Sequence, residues 1–95
     1  MDASLSEATR LMGLEAAVEL AKARGAWTSV VGPEVAAHSW PVALSHGRLT
    51  VATDHPAWAS ELRILSQQLV SGIRSVVPSV ESVAVQVSPF PGRNW

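Results

Sequence analysis

Cysteine is absent from this 95-residue chain. That excludes a disulfide framework, thiolate metal sites and thiol nucleophiles, and it suits a reducing cytoplasm. Long apolar runs are also missing. Nothing approaches the ~20 residues needed to span a bilayer. The opening MDASLSEATR has neither the basic start nor the apolar middle of a signal peptide. These two absences point to a cytoplasmic protein with no membrane partner. Surplus charge of either sign is missing too, with seven Lys and Arg against eight Asp and Glu and a net charge of −1. Phosphate neutralisation supplies most nucleic-acid affinity, so DNA is expected to bind weakly.

Reactive constellations are scarce. His38, His46 and His55 include no i, i+4 pair, and no carboxylates cluster with them. Asp54, His55 and Ser60 match a catalytic triad by residue type alone. The expectation is a protein that is not an enzyme, with no cofactor, no metal and no catalytic residue.

What the chain does have is apolar patterning, with 47% hydrophobic residues against 16% charged. That content supports one small domain with a modest core. A helix is expected from about Leu5 to Arg24, capped by Ser4 with Glu7 in the capping-box position and ended by Gly25. Its apolar residues form two stripes. Leu11, Leu14, Val18 and Ala21 lie on one side, and Leu5, Met12, Ala16 and Leu20 on the other. Such a helix is either sandwiched in the fold or offers one side to a partner. Leu5, Met12 and Leu20 are the candidate partner face, and a homodimer through them is one expectation.

Residues 26–31 read as a further helical turn, stopped by Gly32-Pro33, with another short helix to about His38. The period then changes to two. Trp40, Val42 and Leu44 form one strand, and Leu49, Val51 and Thr53 the next. Gly47 supplies the positive φ that the turn between them needs. Pro41 marks the first strand as an edge or sits at the strand's start. Asp54 caps a second long helix, in which Trp58, Leu62, Leu65, Leu69, Ile73 and Val76 make one apolar stripe closed by Pro78. Val83, Val85 and Val87 give a third strand. The result is an α+β domain of order α(α)ββαβ, with a three-stranded sheet packed in two layers against helices. Residues 1–95 form one domain: a helix over 1–24, a core over 27–88 and a loose tail over 89–95.

Several surface residues are candidate contacts. Arg63, Gln67 and Arg74 share the polar side of the second helix, and Arg48 sits at the hairpin tip. The three arginines suit phosphates or acidic partner side chains. Trp40, on an edge strand, suits an interface. Trp27 and Trp58 read first as core anchors.

The segment W-x-x-V-V-G-P-E-V-A-A-H-S, from Trp27 to Ser39, resembles the bacterial DciA family. So does P-x-x-L-x-x-G-x-L-T-V-x-x-x-x-x-A-W-A-x-E-L, from Pro41 to Leu62. The resemblance covers Trp27 to about Val87 and is closest to actinobacterial members. Trp27, Gly32, Pro41, Gly47, Leu49, Val51, Trp58 and Leu62 match family positions, and most of these look structural. The resemblance implies a K-homology-like fold. It also implies a non-enzymatic accessory that touches the replicative helicase DnaB and assists its placement on DNA. No two glycines are three apart, so the Gly-x-x-Gly clamp of nucleic-acid-binding K-homology domains is missing. Two other readings remain open: a standalone K-homology-like module for RNA or single-stranded DNA, and a structural self-association domain.

Overall fold

The first helix runs through Gly25 and stops at Gly32. The computed structural model describes the backbone of residues 3–88 and the side chains of residues 13–88. Seven elements succeed one another: α1 (Ala3–Val31), α2 (Pro33–Ala36), β1 (Ser39–Ser45), β2 (Arg48–Thr53), α3 (Pro56–Ile64), α4 (Ser66–Arg74) and β3 (Ser82–Val87). Four helices and a three-stranded mixed sheet make the α+β fold that the periodicities imply. The residue 1–24 helix and the turn over 26–31 are one element, and the expected tail lies outside the described residues.

Gly32 ends α1 because its φ of 91° lies where side chains are disfavoured. Its N–H still closes the last turn onto Thr28 O at 2.8 Å. Pro33 then opens α2 at a position where an amide would have had no partner. Gly25 can stay helical because the next turn is tied to the core by Trp27, which is 1% exposed.

The hairpin forms as its period predicts. β1 and β2 pair antiparallel through a two-residue turn at His46-Gly47. Both turn residues have positive φ, 52° and 79°, which matches the twist of the flanking strands. A register shift between Pro41 and Ala43 bulges β1. The sheet order is β1-β2-β3, so β1 is an edge, one of the two places that Pro41 allows. β3 returns parallel to β2 across α3 and α4.

The second long helix is broken. Leu65, with φ −92° and ψ 12°, separates α3 from α4. The phase survives, because Leu65 N bonds Glu61 O at 3.1 Å and Leu69 N bonds Leu65 O at 2.9 Å. Leu62, Leu69 and Ile73 are therefore buried together with Trp27, Leu49, Val51, Val77 and Val80. The cap also differs from expectation. His55, not Asp54, is the N-cap of α3, its Nδ1 accepting from Ala57 N at 3.0 Å.

Among the described residues Trp27 is the largest buried side chain. Its Nε1–H donates to Ser39 Oγ at 2.9 Å, and Ser39 Oγ donates to Val35 O at 2.7 Å. This relay ties α1 to α2 and β1. Among the described residues, no buried side-chain polar atom lacks a partner.

Candidate functional site

Trp58 lies outside the buried core. It is half-buried and stacks on the His38 ring, with centroids 4.9 Å apart and planes at 13°. Its expected role as a core anchor is thus corrected. The first turn of α3 holds Trp58 beside the α2–β1 corner, where His38 already occupies one face of the indole. His38 is held in turn. Its Nδ1 lies 3.0 Å from Asp54 Oδ2, and its carbonyl accepts from Asp54 N at 3.3 Å. Asp54 is therefore engaged by His38 instead of capping α3. Periodicity could not reveal this cluster, because only Trp58 lies on a helix, while His38 and Asp54 sit in the segments before β1 and after β2. Among the described residues there is no group of three or more His, Asp or Glu that could hold a metal.

The three arginines do not form one patch. Arg48, exposed, lines a shallow cleft of about 510 Å³ with Ser45, His46, Thr50 and Ser82. Arg63 donates Nη2 to Val85 O at 2.9 Å and so stands over β3. Arg74 closes α4 as a basic residue in its last turn, where a cation suits the helix C-terminus. Gln67 lines a second cleft of about 420 Å³ between α4 and the start of β3. Ser82 borders both clefts, so Arg48 and Gln67 flank the same end of that strand.

Trp40 is half-buried under a cation. The Arg24 guanidinium lies 5.7 Å from its ring centre, and Arg24 Nε donates to Pro41 O at 3.0 Å. Sequence alone gives no sign of Arg24, because its partners lie sixteen and seventeen residues away.

On α1 the one described residue of the expected partner face, Leu20, is covered. Leu20 packs against the core, because the Leu20, Ala23, Trp27 and Val30 line faces the sheet and α4. Leu5 and Met12 lie outside the described side chains. Leu14 and Val18, one turn apart, are 59% and 46% exposed. Of the family-pattern residues, Trp27, Pro41, Leu49, Val51 and Leu62 are buried, and Gly32 and Gly47 hold positive φ.

The family model described as "Dna[CI] antecedent, DciA" matches residues 2–85. The match takes in α1 up to Ala26, which the motif from Trp27 onward leaves out. The chain is also similar to curated proteins of mycobacteria. It is 40% identical over 93 residues to a UPF0232 protein of Mycobacterium tuberculosis, covering 85% of this chain and 50% of that protein. It is 37% identical over 71 residues to one of Mycolicibacterium smegmatis, covering 75% of this chain and 37% of that protein. It is 32% identical over 83 residues to one of Mycobacterium leprae, covering 87% of this chain and 44% of that protein. The chain thus spans half or less of the length of these relatives.

Proposed function

The chain belongs to the DciA family, and from that premise we propose that it is a non-enzymatic accessory domain that binds the replicative DnaB-type helicase and assists its placement on DNA. The match over residues 2–85 carries this reading, because it covers every described element except the end of β3. The physical character of the surfaces supports it. What is exposed suits association: apolar Leu14 and Val18 on α1, and the Trp58–His38–Asp54 cluster at one end of the sheet. A replication role also fits a cytoplasmic protein.

The test is co-purification of the full chain with its cognate DnaB-type helicase. A stable complex at micromolar concentration is the expected result. Its absence overturns the reading.

Nucleic acid makes a weaker contribution in this reading, through separate contacts at Arg48, Arg63 and Arg74, with Gln67 near Arg48 and Trp40 on the opposite sheet edge. Replacing the three arginines by Ala and titrating single-stranded DNA at low salt is expected to weaken binding. At ~0.7 per neutralised phosphate, three lost contacts flatten the log–log salt slope by about 2. Unchanged affinity and slope would remove these arginines from the interface.

A further inference from the structure

The two edges of the sheet are protected very differently. β1 carries Pro41, a bulge and the Arg24 bond to Pro41 O. These devices discourage another strand from pairing. β3 has neither proline nor bulge. Its sequence SVAVQV holds no charge and no glycine.

The orientation of β3 is fixed by its ladder. Ser82 N donates to Gly47 O at 3.2 Å and Ser88 N to Thr53 O at 2.9 Å. In a parallel pair, alternate residues turn both backbone groups to the same side. Ser82, Ala84, Gln86 and Ser88 therefore face β2, and Val83, Val85 and Val87 turn N–H and C=O to the side where no described strand pairs with them. Arg63 Nη2 donates to Val85 O, so a guanidinium stands at the middle of that free edge. The cleft of about 420 Å³ between α4 and Ser82–Val83 lies at one end of the strand. At the other end Val87 is 45% exposed.

We propose that the free edge of β3 takes up an extended segment of a partner protein as a fourth strand, and that an acidic side chain of that segment receives Arg63 when it leaves Val85. An incoming strand offers its own N–H to Val85 O. The displaced guanidinium then needs another acceptor in the same place, and a carboxylate fits its paired donors best. Backbone pairing supplies affinity in this mode of recognition, and side chains at alternate positions supply specificity.

Charge selects this occupant over two others. Pairing β3 with β3 of a second copy brings two Arg63 guanidinia together, with no carboxylate in either strand. A nucleic acid would meet one cation along the edge, Arg63, with Arg48 across the strand end, no aromatic side chain among the cleft's lining residues, and the carboxylate of Glu81. The proposal does not depend on the helicase reading, and its test contains no helicase, so each can fail alone.

The probe is a synthetic capped peptide of about six residues, long enough to match the strand, alternating threonine and valine with a central glutamate. It is titrated into the isotope-labelled full chain, and amide exchange is read by NMR. Exchange at Val83, Val85 and Val87 is expected to slow by about tenfold or more, while Ser82, Ala84 and Gln86 barely change. A glutamine version of the peptide binds about fivefold more weakly, and Arg63→Ala abolishes that preference. Val87→Pro removes one outward N–H, spares the β2 ladder and weakens binding about tenfold. Unchanged exchange at millimolar peptide, or equal binding of the two peptides by the unaltered chain, overturns the proposal. So does protection of the same amides by oligothymidylate but not by peptide, which assigns the edge to nucleic acid. Protection that appears on concentrating the chain alone assigns it to a second copy and likewise overturns the proposal.

Discussion

Trp27→Ala is expected to cost about 3–5 kcal/mol of stability, the largest loss from any single truncation in this chain. Trp27 is 1% exposed and is the largest buried side chain among the described residues. Removing it opens a cavity where α1 meets the sheet, and it takes away the donor that Ser39 Oγ accepts at 2.9 Å. A buried hydroxyl left short of a partner adds its own penalty. Small domains hold roughly 5–15 kcal/mol in all, so the variant sits near the edge of folding. At about 4–8 °C per kcal/mol for a domain of this size, its Tm falls by more than ~12 °C. Urea denaturation monitored by circular dichroism measures the loss directly. Trp27→Phe keeps most of the ring, removes only the N–H, and is expected to cost ~1–2 kcal/mol. Trp58→Ala is the counterpart. Trp58 is half-buried and stacks on His38, not on the core, so its removal costs well under half as much. A larger loss at Trp58 than at Trp27 would contradict the assignment of the two indoles.

The contrast between the two tryptophans shows what the sequence could tell. Elements recognised by period emerged almost whole: the hairpin, the third strand, and a stripe that buries Leu62, Leu69 and Ile73. Those patterns are local, and a period of two or of three to four residues survives any tertiary arrangement. Helix ends were harder, because Gly25 and Gly32 both look like stops. Their C-terminal neighbours make the difference. Gly32 precedes Pro33, which cannot continue the hydrogen-bonding of α1. Gly25 precedes Trp27 by two residues, and the burial of that indole holds the next turn in place. The break at Leu65 carries no glycine or proline, and it goes with α3 packing on the sheet while α4 packs on α1 as well. The parallel return of β3 was implicit in a strand–helix–strand connection, since only a long crossover can join parallel neighbours. The candidate surfaces were least legible. Arg48, Arg63 and Arg74 share a residue type, but the fold sends them to three separate places. The cation over Trp40 and the histidine over Trp58 both arrive from distant segments. On α1, Leu20 is covered while Leu14 and Val18 are exposed, an exchange of their expected places, because both stripes are apolar and only the rest of the fold decides which residues are covered.

That exchange leads to the second large effect. Leu14→Glu together with Val18→Glu is expected to weaken capture of the DnaB-type helicase by at least about tenfold, with stability unchanged to within ~0.5 kcal/mol. The described side chains that anchor α1 begin at Leu20 and continue through Ala23, Trp27, Val30 and Val31. At ~1.5 Å per residue the helix is about 43 Å long, and that anchored stretch accounts for less than half of it. Leu14 and Val18 lie on the remaining part, one turn apart and largely exposed. Glutamate is as good a helix former as leucine and better than valine, so neither substitution should unwind the helix. Glu at position 18 stands four residues before Lys22, a favourable spacing that offsets its repulsion from Glu at position 14, also four residues away. Two carboxylates would, however, have to be desolvated in any apolar contact made there. Urea denaturation and helicase capture therefore separate the outcomes. A loss of stability would mean that Leu14 and Val18 pack within the chain. Undiminished capture by a stably folded variant would move the helicase contact off α1, leaving the Trp58–His38–Asp54 end of the sheet to carry it.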